Sequence, residues 1–246
     1  MIKRLLVLLL GIIFCGQVGA QKKEFTPEWN IGVGFGPTFS SLSIIPTYPV
    51  LSVKTKSIFQ FHGGVAVRYI TERNLGFIAE LNYSQMGWEE NFEGRKYELP
   101  DGTLYAGADT LFQHTHKLNY LEIPFLTHIY FGHNKVRGFF NIGPKVGFLI
   151  SESEVINDKL RDYLNQEPDP NKAAVGQYGK KAEKKIDYGL TAGAGVELRT
   201  GIGNFALEGR YYMGFGDIYN NRKSDYFSRS ANRVISAKLT YYIKAF

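Results

Sequence analysis

The sequence predicts an all-β fold, an eight-stranded antiparallel up-and-down transmembrane β-barrel with short periplasmic turns and long extracellular loops. Segments in which apolar and polar residues alternate with period two recur about eight times. An export signal precedes them. The connections between them alternate between long and short, as in outer-membrane barrels. The clearest segment is 118–131, where apolar side chains such as Leu121 and Ile123 alternate with Glu122 and His128.

The first twenty residues have the three parts of a secretory signal peptide. Met1–Ala20 combines a positive start, an apolar run of 11 residues at Leu5–Cys15 and a small-residue exit. The run is too short to cross a bilayer as a helix, which needs about 20 apolar residues. We therefore expect a signal peptide at 1–20, a short periplasmic lead-in at 21–28 and the barrel domain at 29–246.

Composition supports an exported β protein and excludes several other classes. The one cysteine, Cys15, lies in the predicted signal, so we expect no disulfide in the mature chain. Aromatic residues make up 15% of the sequence and glycine occurs 27 times, which is typical of many short strands. Loss of Lys3 and Arg4 lowers the net charge from +6 to +4, too mildly basic for a nucleic-acid binder. We expect no cofactor.

The strands follow one another in chain order, each with an apolar face and a polar or glycine-rich face. The predicted strands cover residues 29–40, 57–69, 75–86, 118–131, 137–151, 186–198, 205–214 and 233–246. In the first strand, Ile31, Val33 and Phe35 alternate with glycines. In the other strands, charged residues occupy the second face. We also expect a short helix at 155–166, ended by the prolines that follow.

The charges of the strand centres fall on one face only. A charge that faces lipid near the bilayer midplane costs about 2–4 kcal/mol, so the apolar face should exclude charge. The interior of an eight-stranded barrel is just wide enough for side chains to fill. We therefore expect a lumen plugged by ion pairs, with four basic and five acidic members. These residues are Arg68, Glu80, Glu122, Lys145, Asp187, Glu197, Glu208, Arg210 and Lys238.

A soluble, lipocalin-like periplasmic binder is the alternative architecture, because alternation alone does not say which face points inward. The large aromatic apolar face and the long strands favour the membrane. Aromatic residues near strand ends do so too, since such girdles mark membrane interfaces. We expect Trp29, Tyr69, Tyr130 and Phe131 at one rim and Trp88 near the other.

Two prolines interrupt the predicted strands. Proline lacks the N–H that a ladder needs and is rare in central strands. A closed barrel has no edge on which to place it. We therefore expect a local β-bulge at Pro124 and another at Pro144.

Candidate catalytic and metal-binding residues are few. His114 and His116 flank Thr115 and would share one face of a strand, but no third ligand is evident from spacing. We interpret them as solvated loop histidines and predict no metal site. Ser84 and His62 would both face inward from adjacent strands, with no route for the serine to reach lipid. We therefore expect no catalytic residue and no enzymatic activity.

Several blocks of sequence carry a family resemblance. The most specific comprises Leu118, Tyr120, Leu121, Glu122, Ile123 and Pro124. Residues 80–87, 141–147 and 193–197 add to it in order. With these blocks the chain resembles the outer-membrane β-barrel family of the Bacteroidetes, often called PorT-like or porin-family proteins. The resemblance implies an eight-stranded barrel in the outer membrane of a Gram-negative bacterium, and it implies no particular activity.

The leading functional hypothesis is a structural, binding or accessory role through the extracellular loops. A narrow passive pore for small solutes is the second hypothesis, and a barrel enzyme that acts on lipid is the third. We expect a monomer with periplasmic N- and C-termini, in contact with outer-membrane lipid or lipopolysaccharide and with a protein partner at the loops. Basic loop residues suit such anionic head groups. They are Lys54, Lys56, Arg95, Lys96, Lys180, Lys181, Lys184, Lys185, Arg222, Lys223 and Arg229.

Overall fold

The computed structural model describes residues 25–47, 54–92, 112–132, 135–165, 178–222 and 227–245. The predicted signal peptide and the first half of the lead-in, residues 21–24, lie outside these residues. The strands are β1 Glu28–Pro46, β2 Lys54–Lys56, β3 Ile58–Glu72, β4 Leu75–Asn91, β5 His114–Phe131, β6 Val136–Ile156, β7 Ile186–Thr200, β8 Gly203–Gly214 and β9 Phe227–Lys244, with helix α1 at Asp158–Asn165. Among the described residues, no helix is long and apolar enough to cross a membrane.

Eight long antiparallel strands close into a ring. Each pairs with the strand next to it along the chain, β1 pairs with β9, and the pairing of β4 with β5 leaves no open edge among the long strands. The three-residue strand β2 adds to the end of β4. The predicted eight-stranded up-and-down barrel is therefore confirmed, and helix α1 lies within the predicted helical segment.

The two ends of the barrel differ. We call the end with the short connections β3–β4, β5–β6 and β7–β8 the turn end, and the opposite end the loop end. Several strands continue beyond their predicted bounds at the loop end. For example, β4 runs to Asn91, β5 begins at His114 and β6 runs to Ile156. These extensions raise a collar of paired strands at the loop end.

Apolar side chains cover the outside of the barrel and polar ones fill its inside. Val33, Phe35 and Ile235 are each 60% exposed on the outward face, whereas Lys238 on the inward face is fully buried. The soluble lipocalin-like alternative, which placed the apolar face inward, is therefore wrong. On β5 the outward apolar belt ends at Leu121, and Asn119 and the residues before it replace it with polar side chains.

The rim aromatics follow the prediction only in part. Trp29 stacks on Tyr69 with 4.4 Å between ring centroids at the turn end, and Phe131 is exposed on the outside. Tyr130 and Trp88 are instead buried, so the expectation for these two residues is wrong. Strand alternation explains both, because Tyr130 shares its inward face with His128, and the alternation of β4 turns Trp88 inward.

The expected bulges at the two prolines are also wrong. The β5–β6 pairing lapses after Pro124 and resumes in unchanged register, and the β6–β7 pairing runs through Pro144 without a shift. The ladder simply skips bonds there, since a missing donor does not require an extra residue. At this point the strands also approach closely, because a Cβ at Gly143 would lie 2.0 Å from the carbonyl oxygen of Phe125.

The core of the protein lies inside the barrel, where apolar clusters close both ends of the lumen. The loop-end apolar cluster consists of Leu42, Met86, Trp88, Leu118, Tyr120, Ala182, Tyr212, Ile218, Tyr219, Phe227 and Val234. The turn-end cluster consists of Ala66, Ile70, Ile78, Leu126, Tyr130, Phe139, Ala206 and Tyr242, with Phe25 against it. The charged side chains lie largely between these two clusters.

Candidate functional site

The nine charged side chains predicted for the lumen are all buried inside the barrel. Glu80 is the centre of the largest group. Arg210 donates from both terminal nitrogens to the two carboxylate oxygens of Glu80, at 2.7 Å each. Lys238 donates to the same carboxylate at 2.9 Å. One carboxylate therefore binds two cations that come from β8 and β9, across the lumen from β4. We call Glu80, Arg210 and Lys238 the Glu80 group.

Hydrogen bonds extend this group toward β5 and β6. Arg210 also donates to Glu208 at 2.7 Å. The amide of Asn141 donates to the other oxygen of Glu208 at 2.8 Å, and the Asn141 carbonyl oxygen lies 2.7 Å from Nδ1 of His128. The network thus joins side chains from five strands around the middle of the lumen, and it includes Asn141 and His128 beside the charged residues predicted for the lumen.

The remaining predicted residues form smaller groups on either side. Toward the turn end, Arg68 pairs with Glu197 and lies over the ring of Tyr242. Toward the loop end, Lys145 pairs with Glu122. Cation–π contacts of this kind add to the stability of a desolvated cation.

Asp187 lies nearest the loop end among the predicted charges. Its carboxylate accepts a hydrogen bond from Asn232 at 3.0 Å. The structure therefore brings eight of the nine predicted residues into ion pairs and gives Asp187 an amide partner.

Little space remains in the lumen. Beside His62, Ser84 and Lys145, in the middle of the barrel, a cavity of about 20 Å³ remains. One water needs roughly 10–15 Å³ of such volume, so this cavity holds about one water. A larger cavity of about 150 Å³ lies at the turn end beside Arg68 and Arg137. The Glu80 group separates the turn-end cavity from the loop end.

The candidate Ser–His pair is enclosed by this packing. His62 and Ser84 are paired across β3 and β4, and both are buried. A ring nitrogen of His62 lies 3.3 Å from the carbonyl oxygen of Ala237. The pair therefore faces the filled lumen, away from the outer surface where a lipid substrate would lie.

The motif Leu118–Pro124 divides its side chains between the two faces of β5. Leu118 and Tyr120 belong to the loop-end apolar cluster and are fully buried. Glu122 pairs with Lys145, and Pro124 also points inward. Leu121 and Ile123 point outward. The motif thus packs the lumen and coats the outside at once.

A second polar cluster lies at the loop end, and sequence reasoning missed it. His114 and His116 are 5% and 3% exposed on β5, so their interpretation as solvated loop histidines is wrong. They lie beyond the outward apolar belt. The polar residues that replace the belt include Lys117 and Asn119 on β5 and Ser151 and Ser153 on β6.

Three carboxylates contact these histidines. Nδ1 of His114 lies 2.9 Å from Glu90, and its Nε2 lies 2.7 Å from Glu154. Nε2 of His116 lies 3.3 Å from Glu152. We call these five residues the loop-end cluster site.

Packing and backbone bonds hold the loop-end cluster site in place. The ring of His116 stacks on Trp88 with 4.5 Å between centroids. The backbone N–H of Gly179 donates to both oxygens of Glu154, at 3.0 and 2.9 Å. The backbone N–H of Ala182 donates to Glu152 at 2.8 Å. The connection before β7 therefore folds over the site and orients its carboxylates.

The two histidines titrate differently. Burial lowers the pKa of His114, but hydrogen bonds with Glu154 and Glu90 outweigh it and raise that pKa to about 9. Burial also lowers the pKa of His116, and there it outweighs the hydrogen bond with Glu152. His114 is therefore an imidazolium between two carboxylates at neutral pH when no other cation is bound, and His116 is neutral.

An irregularity in the β5–β6 pairing creates the loop-end cluster site. The register shifts between Asn119 and Tyr120, where Leu149 and Ser151 are the successive partners and Ile150 is the extra residue. On the turn-end side of this bulge, up to Leu149, the odd-numbered residues of β6 face inward. Above it, Glu152 and Glu154 face inward, and Glu154 lies directly opposite His116. The signal in the sequence was the pair of H-x-H and E-x-E repeats at the facing ends of one hairpin.

Outward apolar strands, a closed ring and a filled polar interior define a membrane-spanning β-barrel of the closed, small kind. The match to a family model agrees. Residues 19–220 match the model described as outer membrane protein beta-barrel domain. The chain belongs to this family, which places it in the outer membrane of a Gram-negative bacterium.

Solved structures of outer-membrane proteins are similar in fold. OprG from Pseudomonas aeruginosa is 12% identical with a TM-score of 0.48, over 89% of this chain and 97% of that one. Neisserial surface protein A is 11% identical with a TM-score of 0.43, over 88% and 99%. Ail, the attachment invasion locus protein of Yersinia pestis, is 11% identical with a TM-score of 0.39, over 88% and 99%. A comparison with curated protein sequences finds no match.

Proposed function

We propose that this protein is a non-conducting outer-membrane barrel with a binding or accessory role at its loop end. The Glu80 group carries this proposal. It spans the lumen with buried, mutually bonded side chains, and apolar clusters lie on both sides of it. Because the sheet closes on itself without an open edge among its long strands, we propose that one chain forms the barrel.

We further propose that the loop end faces the exterior and that both chain termini are periplasmic. Glu28, at the start of β1, lies 3.7 Å from Lys244, near the end of β9, and both are at the turn end. Small outer-membrane barrels keep short turns on the periplasmic side. Cations at the loop end suit the phosphates of lipopolysaccharide. The predicted basic loop residues that the structure describes there are Lys54, Lys56, Lys180, Lys181, Lys184, Lys185, Arg222 and Arg229.

Conductance tests the closed lumen. We expect the wild-type protein to give no steady current in planar lipid bilayers, because the Glu80 group and its neighbours leave no continuous water path. The triple variant Glu80→Ala/Arg210→Ala/Lys238→Ala removes the charged middle of the plug but keeps the apolar clusters at both ends, so we expect at most small, intermittent currents from it. The matched control, Glu80→Leu/Arg210→Met/Lys238→Met, keeps the lumen filled with side chains and should stay silent. Steady current through the wild-type protein would contradict the proposal and favour the passive pore.

Labelling with a membrane-impermeant maleimide tests the orientation. Lys181 lies exposed on the connection before β7 at the loop end, and Arg73 lies exposed on the short turn between β3 and β4. In intact cells we expect Lys181→Cys to react and Arg73→Cys to react only after the outer membrane is permeabilised. The reverse pattern would show that the loop end faces the periplasm.

A further inference from the structure

We propose that His114, His116 and Glu154 bind a divalent transition-metal ion, best matched by Zn²⁺, at the loop end of the barrel. Imidazole nitrogen and carboxylate oxygen are ligands that Zn²⁺ prefers. The site goes beyond the proposed function, since it depends neither on conductance nor on which way the loop end faces.

The three ligand groups already converge. One ring nitrogen of each histidine and one oxygen of Glu154 lie within 4.8 Å of one another. Tetrahedral ligands about 2.0–2.2 Å from Zn²⁺ lie roughly 3.3 Å apart. Nε2 of His114 and Oε1 of Glu154 are now 2.7 Å apart and share a hydrogen bond. The ion would replace this hydrogen bond, and small side-chain rotations would bring the three ligand atoms to tetrahedral spacing.

The strands that carry the ligands form a rigid frame. The two histidines alternate on β5 and so project from one face, and Glu154 is the direct partner of His116 on β6. On its other side β5 pairs with β4, where Trp88 is the partner of His116. A site built on paired strands holds its ligands more firmly than one built on loops.

Residues around the ligands provide the support that metal sites need. Glu90 contacts Nδ1 of His114, which fixes the tautomer that offers Nε2 to the ion. Trp88 stacks on the His116 ring and limits its rotation. A ligating histidine that is held by a carboxylate is a recurrent feature of zinc sites.

The coordination sphere has room for a fourth ligand. Glu152 lies two residues from Glu154 on the same face and already contacts His116. Its side chain is 18% exposed and that of Glu154 is 17% exposed, so the site is reachable from the loop end. Glu152 or a water completes a tetrahedral set. The carboxyl groups of Glu90, Glu152 and Glu154 around the histidines also favour a divalent cation at this position.

Metal titration of the untagged, refolded chain tests the proposal. After dialysis against a chelator, we expect calorimetry to show one equivalent of Zn²⁺ bound per barrel, and Co²⁺ to give the intense visible absorption of a tetrahedral site. His116→Gln and Glu154→Gln should each weaken Zn²⁺ binding by at least about 100-fold. Glu90→Gln, which alters only the support of His114, should weaken it by about 10–100-fold.

Two further measurements keep the result interpretable. His128→Gln changes another buried histidine, far from the loop-end cluster site, and should bind Zn²⁺ as the wild type does. Heat-modifiable gel mobility shows which variants have formed the barrel. An absence of Zn²⁺ binding by folded wild-type protein overturns the proposal, and the site is then an ion-pair cluster only. Equal affinity in the wild type and in folded His116→Gln and Glu154→Gln overturns it as well.

Discussion

Replacing Glu80 by leucine will lower the free energy of unfolding by roughly 3–5 kcal/mol, because it leaves buried cations without their counter-charge. Arg210 loses its two-bond partner and Lys238 loses its carboxylate, while both remain enclosed in the lumen. Arg210 keeps its bond to Glu208 and Lys238 keeps its bond to Asn82, and these bonds replace only part of the lost interaction. Urea unfolding of the barrel refolded into lipid vesicles measures the change.

Two variants make this prediction specific. Glu89→Leu makes the same chemical change on the same strand, where the carboxylate lies near the loop end and is only partly buried, and should cost less than about 1 kcal/mol. The compensated variant Glu80→Leu/Arg210→Met/Lys238→Met should recover most of the loss, since apolar replacements of a whole buried ion group are often neutral. Similar losses in Glu80→Leu and Glu89→Leu would refute a central role for the Glu80 group.

Replacing Leu239 by arginine will lower the free energy of unfolding in a bilayer by about 2–4 kcal/mol, since the charge would face lipid near the midplane. Leu239 is 54% exposed on the outward face, and its partners are Phe35 on β1 and Leu207 on β8. These three side chains lie in the middle of the apolar belt. Equilibrium unfolding in vesicles of fixed lipid composition gives the value.

Asn119→Arg is the control for this effect. Asn119 lies on the same outward surface, just beyond the end of the belt at Leu121, so an arginine there should cost about 0–1 kcal/mol. If the two arginine variants lose the same stability, the outer face does not contact the hydrocarbon of a bilayer.

The alternation of side chains along the strands explains which sequence-based predictions were right and which were wrong. Wherever the period of two is unbroken, alternation places residues on the same face, and the cost of a charge in lipid places Glu80, Arg210 and Lys238 inside the lumen. Trp88 and Tyr130 were misplaced because aromatic character was weighed above alternation. The prolines were misjudged because a missing donor was equated with an inserted residue.

The sequence could not predict which charged residues pair with one another inside the lumen. Glu80 and Arg210 are 130 positions apart, and Arg68 and Glu197 are 129 apart. Alternation, together with the exclusion of charge from a lipid-facing surface, says that each of these side chains points inward, but it does not say at what height or opposite which strand. Closure of β1 against β9 and the stagger of the strands decide that.

The sequence by itself determined the class of this protein, because period-two alternation and the exclusion of charge from one face are local properties of the chain. Only the tertiary structure decided which polar groups meet. At the loop end this decision depends on one extra residue, Ile150, in the β5–β6 pairing. Uninterrupted alternation would have turned Glu152 and Glu154 outward with Phe148. The bulge reverses their direction and places Glu154 opposite His116, because one inserted residue moves every later side chain to the other face.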